Sequence, residues 1–350
     1  MKKIEKQRLE KILKNAQDKK VLIIGDFCLD AYWDADMSLS QLSLETPRFP
    51  RPIIHERYSP GASGTVAWNA SDIGLDVYGY FLMGEDWRGE ILKKALKDRG
   101  INADHAQSLK DRVTPAYIKP ILHSSESKQE DSRLDFDNYT SPSEDFIKRQ
   151  IPTINNLIDN VDAVLLQDQL EYGIFSVKYL REQISILAGN ADIPFMVDSR
   201  HRIYDFKNMI FKPNRFEAIK AAGLETPAET EEIDQSLIKE AASYLYDQSG
   251  APVYITAAEK GIYLFNPGIN ENILNIPTLN PSGPIDVTGA GDTVMSALIA
   301  SILGGATYEE AGLIANMASS VTVRKINQTG TATPDEILSK HEDFDKYIDF

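Results

Sequence analysis

The stretch PIDVTGAGDTVMSALIA, residues 284–300, places three small residues directly before an aspartate and a long apolar run. The apolar run predicts a helix that begins near Asp292. Amides at a helix N-terminus lack intrahelical acceptors and attract anions, and glycine lets an anion approach the backbone closely. Gly289, Ala290 and Gly291 therefore indicate an anion site beside a carboxylate, or a tight turn whose aspartate caps the helix.

Several other polar residues follow short apolar runs that predict buried strands. Such runs begin at Val21, Ala163, Phe195 and Val253, among others, and helical patterns lie between them. This alternation predicts an α/β fold with a mainly parallel sheet covered by helices on both faces. In such sheets, ligands bind beyond the carboxyl ends of the strands. The candidate residues at those ends include Asp30, Asp86, Asp168, Asp198 and Asn214.

Two segments interrupt the alternation and predict β structure attached to the main domain. Residues 31–58 contain several prolines and no clear helical pattern, and residues 113–136 contain two extended stretches joined by a polar turn. We assign these two segments to a small β lid. The remaining segments form the core, namely 1–30, 59–112 and 137–350, with an amphipathic helix in 1–20.

Composition argues against several classes of protein. The 350 residues carry a formal net charge of −15, which argues against nucleic acid as a partner. The single cysteine, Cys28, excludes an intrachain disulfide and fits a reducing compartment. Because no signal-peptide pattern and no membrane-spanning apolar run is present, we expect a cytoplasmic protein without membrane contact. The sequence also lacks a G-x-x-x-x-G-K-[ST] loop, a G-x-G-x-x-G fingerprint and zinc-ligand spacing.

Several motifs together resemble the PfkB/ribokinase family of carbohydrate kinases over essentially the whole chain. DVTGAGD at 286–292 resembles the D-T-x-G-A-G-D signature of that family, and NRFE at 214–217 resembles its N-x-x-E motif. TAAEKG at 256–261 resembles the nucleotide-side T-x-G-x-x-G segment, with Ala258 in place of a glycine. Within the family, GDFCLDAYW and RLDFD resemble the heptose-7-phosphate kinase domains of ADP-heptose synthases.

The resemblance implies a ribokinase-like three-layer α/β/α fold and transfer of the γ-phosphoryl group of ATP to a hydroxyl of a sugar or sugar phosphate. It makes Asp292 the general base and the amides of residues 289–291 an anion hole. The residues implied to bind the acceptor are Asp30, Gly61, Ala62, Thr65 and Asp168. Those implied to bind ATP are Asn214, Thr256, Glu259, Gly261 and Asn316.

The resemblance also implies bound cations. Asn214 and Glu217 are implied to organise Mg²⁺ through water, which suits an ion that keeps several waters. Asp286 is implied to contribute to a monovalent-cation site, with K⁺ as the candidate ion. From the residues alone, Asn214 and Glu217 could equally form a capping box at a helix start, since they are three positions apart.

The acceptor stays open because two positions depart from the family pattern. Ala62 stands where a second glycine is expected, and Thr65 stands where an asparagine holds a sugar hydroxyl. A heptose 7-phosphate, another sugar, a nucleoside or another small alcohol all remain candidates. A catalytically silent protein that binds a sugar or a nucleotide on the same fold is a further alternative.

The lid also predicts an oligomer. A β flap has exposed edges that are normally paired or covered. We therefore expect a homodimer formed through the lid. The apolar residues proposed for that contact are Ile53, Ile54, Ile118, Ile121 and Leu122.

Overall fold

The computed structural model describes residues 3–124, 127–228, 233–279, 283–326 and 330–348. Its strands are β1 (Lys20–Gly25), β2 (Phe27–Asp36), β3 (Ile53–Ala62), β4 (Asp76–Tyr80), β5 (Leu82–Gly84), β6 (Gln107–Leu109), β7 (Ala116–His123), β8 (Lys128–Glu130), β9 (Leu134–Phe136), β10 (Ala163–Asp168), β11 (Phe195–Ser199), β12 (Ile210–Phe211), β13 (Val253–Thr256), β14 (Ile262–Asn266) and β15 (Asn270–Ile276). Its helices are α1 (Lys6–Asn15), α2 (Ser63–Ile73), α3 (Trp87–Lys97), α4 (Glu144–Ile158), α5 (Lys178–Asn190), α6 (Arg215–Ala221), α7 (Gln235–Ser249), α8 (Ala290–Leu303), α9 (Tyr308–Thr322), α10 (Pro334–Ser339) and α11 (His341–Ile348).

The central sheet has eight strands in the order β15-β14-β13-β12-β11-β10-β1-β4. Neighbouring strands from β4 to β13 are parallel, whereas β14 is antiparallel to β13 and β15 is antiparallel to β14. The carboxyl ends of the parallel strands therefore meet at one edge of the sheet, where ligands bind in folds of this kind.

Strand β1 shows why helices cover both faces of this sheet. Val21 and Ile23 belong to a buried apolar cluster that includes residues of α1, α2, α8 and α9. Leu22 and Ile24 point to the opposite face and belong to a cluster that includes residues of α4, α5 and α7. Because side chains alternate along a strand, a fully apolar strand needs a helical layer on each side. The predicted three-layer α/β/α fold with a mainly parallel sheet is confirmed.

A second sheet has five strands, in the order β3-β2-β7-β8 with β9 also paired to β7. It contains the strands of both segments assigned to the lid, and β2 and β3 extend beyond those segments to Phe27 and Ala62. Only Asp26 separates β1 from β2. The prediction that Asp30 follows the end of a core strand is therefore wrong, because Asp30 lies within β2 of the lid sheet.

The apolar residues proposed for a lid contact differ in exposure. Ile53 and Ile54 are 37% and 58% exposed, whereas Ile118 is buried at 1% and cannot meet a partner. The exposed pair lies on β3, which is an edge strand of the lid sheet. Within the described ranges, the helices are all too short or too polar to cross a bilayer.

Candidate active site

A cleft of about 190 Å³ opens at the carboxyl edge of the central sheet. The ends of β11 and β13, the segments after β10, β11 and β12, and the first turns of α6 and α8 form its walls. The residues that line it are Gln169, Asp198, Arg200, Lys212, Asn214, Glu217, Thr256, Gly289, Gly291 and Asp292. The structure therefore brings together residues that lie more than 120 positions apart in the chain.

The N-terminus of α8 presents backbone amides to this cleft. Gly289 is the N-cap with φ of 76°, a left-handed conformation that favours glycine. The amide of Ala290 donates to the carbonyl of Val287 at 3.1 Å, so this turn already uses one of the three amides predicted for the anion hole. Within the described residues, the amides of Gly289, Gly291 and Asp292 have no such acceptor. These three amides are thus left for an anion.

Asp292 has the environment of a base that works near neutral pH. Gln167, which is fully buried in β10, donates from Nε2 to Asp292 Oδ1 at 3.0 Å. Burial raises the pKa of Asp292 to about 7, and the negative charge of Asp198 adds to this shift. Lys212 and Arg200 oppose the shift through their positive charges. A carboxyl group with this pKa exists in both protonation states at neutral pH, which suits proton transfer.

A buried ion pair lies beside the amides of α8. Lys212 Nζ donates to Asp198 Oδ2 at 2.8 Å, and Lys212 is only 2% exposed. Burial alone would lower the pKa of Lys212, but the charge and hydrogen bond of Asp198 outweigh it, and the net shift is upward. Because of this upward shift, Lys212 stays charged. Its ammonium also lies next to the helix N-terminus, since a Cβ at Gly291 would lie 3.8 Å from Lys212 Nζ.

Asn214 and Glu217 form the capping box that their spacing allows. Asn214 Oδ1 accepts from the amides of Phe216 and Glu217, each at 2.9 Å, and Glu217 Oε2 accepts from the amide of Asn214 at 2.8 Å. Both residues also line the cleft. Burial raises the pKa of Glu217 to about 7, and the charge of Asp198 contributes. The capping role and a role in the cleft are thus compatible, because the cap uses only one oxygen of Glu217.

The residues predicted for ATP binding divide into two groups. Thr256 lines the cleft, and Glu259, three residues later in the chain, is paired with Arg215 at 3.6 Å. Gly261 has φ of 86°, and a Cβ there would lie 2.2 Å from the carbonyl oxygen of Ile276. Asn316 is buried and donates to the carbonyls of Ile276 and Pro277 at 2.9 and 3.0 Å. Gly261 and Asn316 therefore fix the end of β15 and do not line the cleft.

Asp30 is a largely buried carboxylate on the lid side of the site. Within the described residues it has no hydrogen-bond donor. Burial raises its pKa, although the positive charges of Lys119 and Arg133 oppose the shift. Gly61 makes room for it, since a Cβ at Gly61 would lie 2.6 Å from Asp30 Oδ2. The Asp30 carboxylate is therefore available to bind hydroxyl groups.

The two departures from the family pattern lie where β3 leads into α2. Ala62 has φ of 51° and ψ of −121°, so an alanine occupies a conformation that favours glycine. Thr65 is buried in the first turn of α2, and its methyl group would lie 3.3 Å from a Cβ at Gly289. Its hydroxyl donates weakly to the carbonyl of Pro60 at 3.4 Å. Thr65 thus lies between Pro60 of β3 and the start of α8.

Asp168 does not fit the predicted role as an acceptor ligand. It has no exposed surface, and it accepts from Ser199 Oγ at 2.6 Å and from Arg202 Nη1 at 2.7 Å. Arg202 also donates to the carbonyls of Leu170 and Glu171. The carboxylate therefore anchors the loop after β10 instead of facing a ligand.

Asp286 lies outside the cleft. Its Oδ1 accepts from the amide of Thr288 at 3.0 Å, and both residues line a second cavity under the lid. Within the described part of the chain, no group of three or more His, Cys, Asp or Glu side chains could hold a metal ion. The monovalent-cation role of Asp286 stays a prediction.

Sequence reasoning missed Gln167 and Gln169 as members of the site. Gln167 contacts a residue 125 positions away, and a glutamine at the end of a strand carries no specific chemical signal. Its position directly before the predicted strand-end candidate Asp168 was the only indication in the sequence.

The chain matches the PfkB family carbohydrate kinases over residues 19–336. It is 29% identical over 353 residues to the bifunctional protein HldE of Trichlorobacter lovleyi, an alignment that covers 99% of this chain and 68% of that protein. It is 29% identical over 338 residues to HldE of Geobacter sulfurreducens, covering 96% of this chain and 65% of that one. The chain thus spans about two thirds of the length of these curated relatives.

Solved structures show the same fold. Arabidopsis thaliana ribokinase complexed with ribose and ATP superposes with a TM-score of 0.67 at 20% identity, covering 93% of this chain and 99% of that one. Phosphofructokinase-2 from Escherichia coli in complex with substrates and products gives 0.67 at 17% identity, covering 93% and 98%. The fold is that of ribokinase-like sugar kinases. The chain belongs to the PfkB family of carbohydrate kinases, so the predicted family and enzyme class are confirmed.

Proposed function

We propose that this protein transfers the γ-phosphoryl group of ATP to a hydroxyl of a sugar or sugar phosphate, with Asp292 as the general base. The observation that carries the proposal is the position of the Asp292 carboxyl group. It lies beside free amides at the start of α8, and its pKa is about 7. The family membership supports the same reaction class.

In this mechanism, Asp30 accepts hydrogen bonds from acceptor hydroxyls and turns one of them towards Asp292. Asp292 takes the proton of that hydroxyl as its oxygen bonds to the γ-phosphorus. The bond from the γ-phosphorus to the bridging oxygen breaks, and ADP leaves with the electron pair. The charge of Asp30 also raises the pKa of Asp292. This interaction supports a single acceptor-binding space bordered by both carboxyl groups. The amide of Gly291 and the ammonium of Lys212 stabilise the charge on the transferred group.

A water-mediated magnesium site fits the chemistry of the cleft. Glu217 keeps one carboxylate oxygen outside the capping box, and its raised pKa reflects a charge that burial disfavours. Glu217 and Asn214 would hold the ion through water, as hard oxygen donors do for Mg²⁺. When bound, Mg²⁺ supplies charge neutralisation on the nucleotide phosphates.

A heptose 7-phosphate is the acceptor that the sequence likeness to HldE proteins favours. Thr65 offers one hydroxyl where the family carries an asparagine, so the acceptor must be identified directly. An ADP-release screen against heptose phosphates, other sugar phosphates, free sugars and nucleosides identifies it. Turnover of nucleosides alone would reject the sugar acceptor and keep the kinase chemistry.

The substitution Asp292→Asn tests the proposed base. We expect turnover to fall by about 10²- to 10⁴-fold, because the base acts in the transition state. Nucleotide affinity, measured by titration, should stay within about three-fold, since the side chain keeps its shape. Asp162→Asn, at a surface pair with Lys19, is the matched control and should leave turnover unchanged. An Asp292→Asn enzyme that keeps a tenth or more of the wild-type kcat refutes the assignment.

A further inference from the structure

Arg200 lines the catalytic cleft, yet the proposed mechanism leaves this residue without a role. It is exposed, whereas Lys212, the other basic residue that lines the cleft, is buried and paired with Asp198. Within the described residues, the Arg200 side chain forms no hydrogen bond and no ion pair. The donors of its guanidinium group are therefore available to a ligand that enters the cleft.

A set of contacts around Asp168 fixes the backbone that carries Arg200. Asp168 and Ser199 face each other in the register of β10 and β11. Ser199 Oγ donates to Asp168 Oδ2 at 2.6 Å and accepts from the amide of Arg202 at 2.9 Å, and Arg202 Nη1 donates to Asp168 Oδ1 at 2.7 Å. The amide of Arg200 donates to the carbonyl of Asp168 at 3.0 Å. These three residues, Asp168, Ser199 and Arg202, are hereafter the Asp168 clamp, and they hold the backbone on both sides of Arg200 to β10.

Carboxylates close to Arg200 in the chain or on the cleft wall have other partners. Asp198, two residues before Arg200, accepts from Lys212 Nζ at 2.8 Å. Glu217 Oε2 accepts from the amide of Asn214 at 2.8 Å. Because a guanidinium group stays protonated in proteins, Arg200 keeps a positive charge with which no carboxylate of the described residues pairs. Such a charge attracts an anionic ligand into the cleft.

Arg200 also borders the space through which the phosphoryl group passes in the proposed reaction. The same cleft contains the proposed base Asp292 and the capping-box residue Glu217. Arg200 lies close enough to Asp292 for its positive charge to lower the pKa of that carboxyl group, against the effect of burial. Because the γ-phosphoryl group moves from the nucleotide to the hydroxyl beside the base, its oxygens come within reach of a long, exposed side chain on this wall.

We propose that Arg200 is a catalytic residue that binds oxygens of the transferred γ-phosphoryl group, and that the Asp168 clamp positions it. This inference rests on the proposed kinase function and adds a residue to its mechanism. A guanidinium group donates two parallel hydrogen bonds to two phosphate oxygens, whereas the buried ammonium of Lys212 acts as a point charge. Arg200 stays charged throughout and takes no proton. Asp292 takes the proton of the acceptor hydroxyl, the new oxygen–phosphorus bond forms, and ADP leaves with the electrons of the bond that breaks.

Steady-state turnover of Arg200 variants tests the catalytic role, with the acceptor that the ADP-release screen identifies. Arg200→Gln should lower kcat by about 10²- to 10³-fold, because it removes a donor to the group in transfer, and the KM values of ATP and acceptor should change by less than about three-fold. Arg200→Lys keeps the charge without the two parallel donors and should lose about ten-fold. Arg149→Gln, at an exposed arginine on α4, is the matched control and should leave kcat unchanged.

Aluminium fluoride together with ADP provides a readout that needs neither turnover nor the acceptor, since its fluoride complexes imitate the phosphoryl group in transfer. In calorimetric titrations, Arg200→Gln should weaken the binding of ADP with aluminium fluoride by about ten-fold or more and leave the affinity for ADP alone within about two-fold. Added guanidinium chloride should also raise the kcat of Arg200→Ala, whereas sodium chloride at the same ionic strength should not.

Ser199→Ala tests the clamp. It should lower kcat by about ten-fold in the wild-type background, because a misplaced guanidinium group stabilises the transferred group less well. The same substitution should change kcat by less than about two-fold in Arg200→Gln, since a positioning residue has no effect once its target is absent. Equal losses in both backgrounds overturn the positioning role.

An unchanged kcat in Arg200→Gln overturns the catalytic role. A higher KM for ATP or for the acceptor with an unchanged kcat overturns it too, because Arg200 would then bind only a ground state. Equal weakening of ADP with and without aluminium fluoride has the same consequence. Turnover retained by Asp292→Asn overturns the proposed base instead, and the aluminium fluoride titration then decides the role of Arg200 independently.

Discussion

Replacing Gln167 should shift the pH dependence of the reaction, because Gln167 holds the proposed base. The Gln167 amide donates to Asp292 Oδ1 at 3.0 Å, and this bond favours the ionised carboxylate. The base must be ionised to accept a proton, and its pKa is about 7. The activity of the wild type should therefore fall as the pH drops through about 7.

The size of the shift follows from the strength of that hydrogen bond. A hydrogen bond to a charged group contributes about 1.5–3 kcal/mol, and each pKa unit corresponds to about 1.4 kcal/mol. Gln167→Met keeps the side-chain length and removes the donor, which predicts a rise of about 1–2 units in the pKa of Asp292. Asp292 borders the open cleft, so we expect a value near the lower end, about one unit.

The assay is the pH profile of kcat/KM between about pH 5.5 and 9.5. For Gln167→Met the acid limb should move from about pH 7 towards pH 8, while the plateau above it changes by less than about three-fold. Gln167→Glu should move the limb further, because it places a like charge beside Asp292. Since Glu217 also has a pKa of about 7, Glu217→Gln is measured alongside to separate the two carboxyl groups. An unmoved acid limb, or an equal loss at every pH, refutes the reasoning.

Three further predictions concern other parts of the molecule. Ala258 has φ of 47°, so Ala258→Gly should raise the free energy of unfolding by about 1 kcal/mol in urea titrations, and Gly223→Ala, at φ of 70° in open space, should lower it by a similar amount. Asp30→Ala should raise the KM of the acceptor at least about ten-fold and leave the KM of ATP within about two-fold in steady-state assays, since no other residue that the structure describes donates a hydrogen bond to this carboxylate. An altered ATP dependence alone would contradict the placement of Asp30. The exposed edge of β3 predicts a homodimer through the lid, which light scattering at micromolar concentration tests, with Ile54→Asp expected to produce monomers.

The sequence predicted the parts of the molecule that depend on local pattern. Apolar runs of three to seven residues separated by helical patterns were sufficient to predict the three-layer fold. An apolar strand such as β1 must bury both of its faces, which requires a helical layer on each side. The small residues before Asp292 indicated a helix N-terminus for a similarly local reason, the positive φ of Gly289. Capping by Asn214 and Glu217 was also evident from their spacing alone.

Features that depend on tertiary contacts could not be predicted in this way. Gly25 and Asp26 have the residue types of a turn, yet the chain passes directly from β1 into β2, and Asp30 therefore lies in the lid sheet. Asp26 makes this possible by accepting three backbone amides of the loop after β10, from Gln169, Leu170 and Ile174. Asp168 has the residue type and position of a ligand, but Ser199 and Arg202 occupy its oxygens. No local spacing reports such long-range partners.

The balance of charge in the cleft connects these observations to the proposed reaction. Among the described residues that line the cleft, three are acidic (Asp198, Glu217 and Asp292) and two are basic (Lys212 and Arg200). After burial, the charge of Asp198 is the next cause that raises the pKa of Asp292 and of Glu217 to about 7. At neutral pH these two carboxyl groups are each about half-ionised, so together with Asp198 they carry about two negative charges, which Lys212 and Arg200 balance. A nucleotide with several negative phosphates would therefore leave the cleft with an excess of negative charge. Its binding therefore requires a cation in addition to the two basic side chains, and the free oxygen of Glu217 is the group positioned to organise that cation through water.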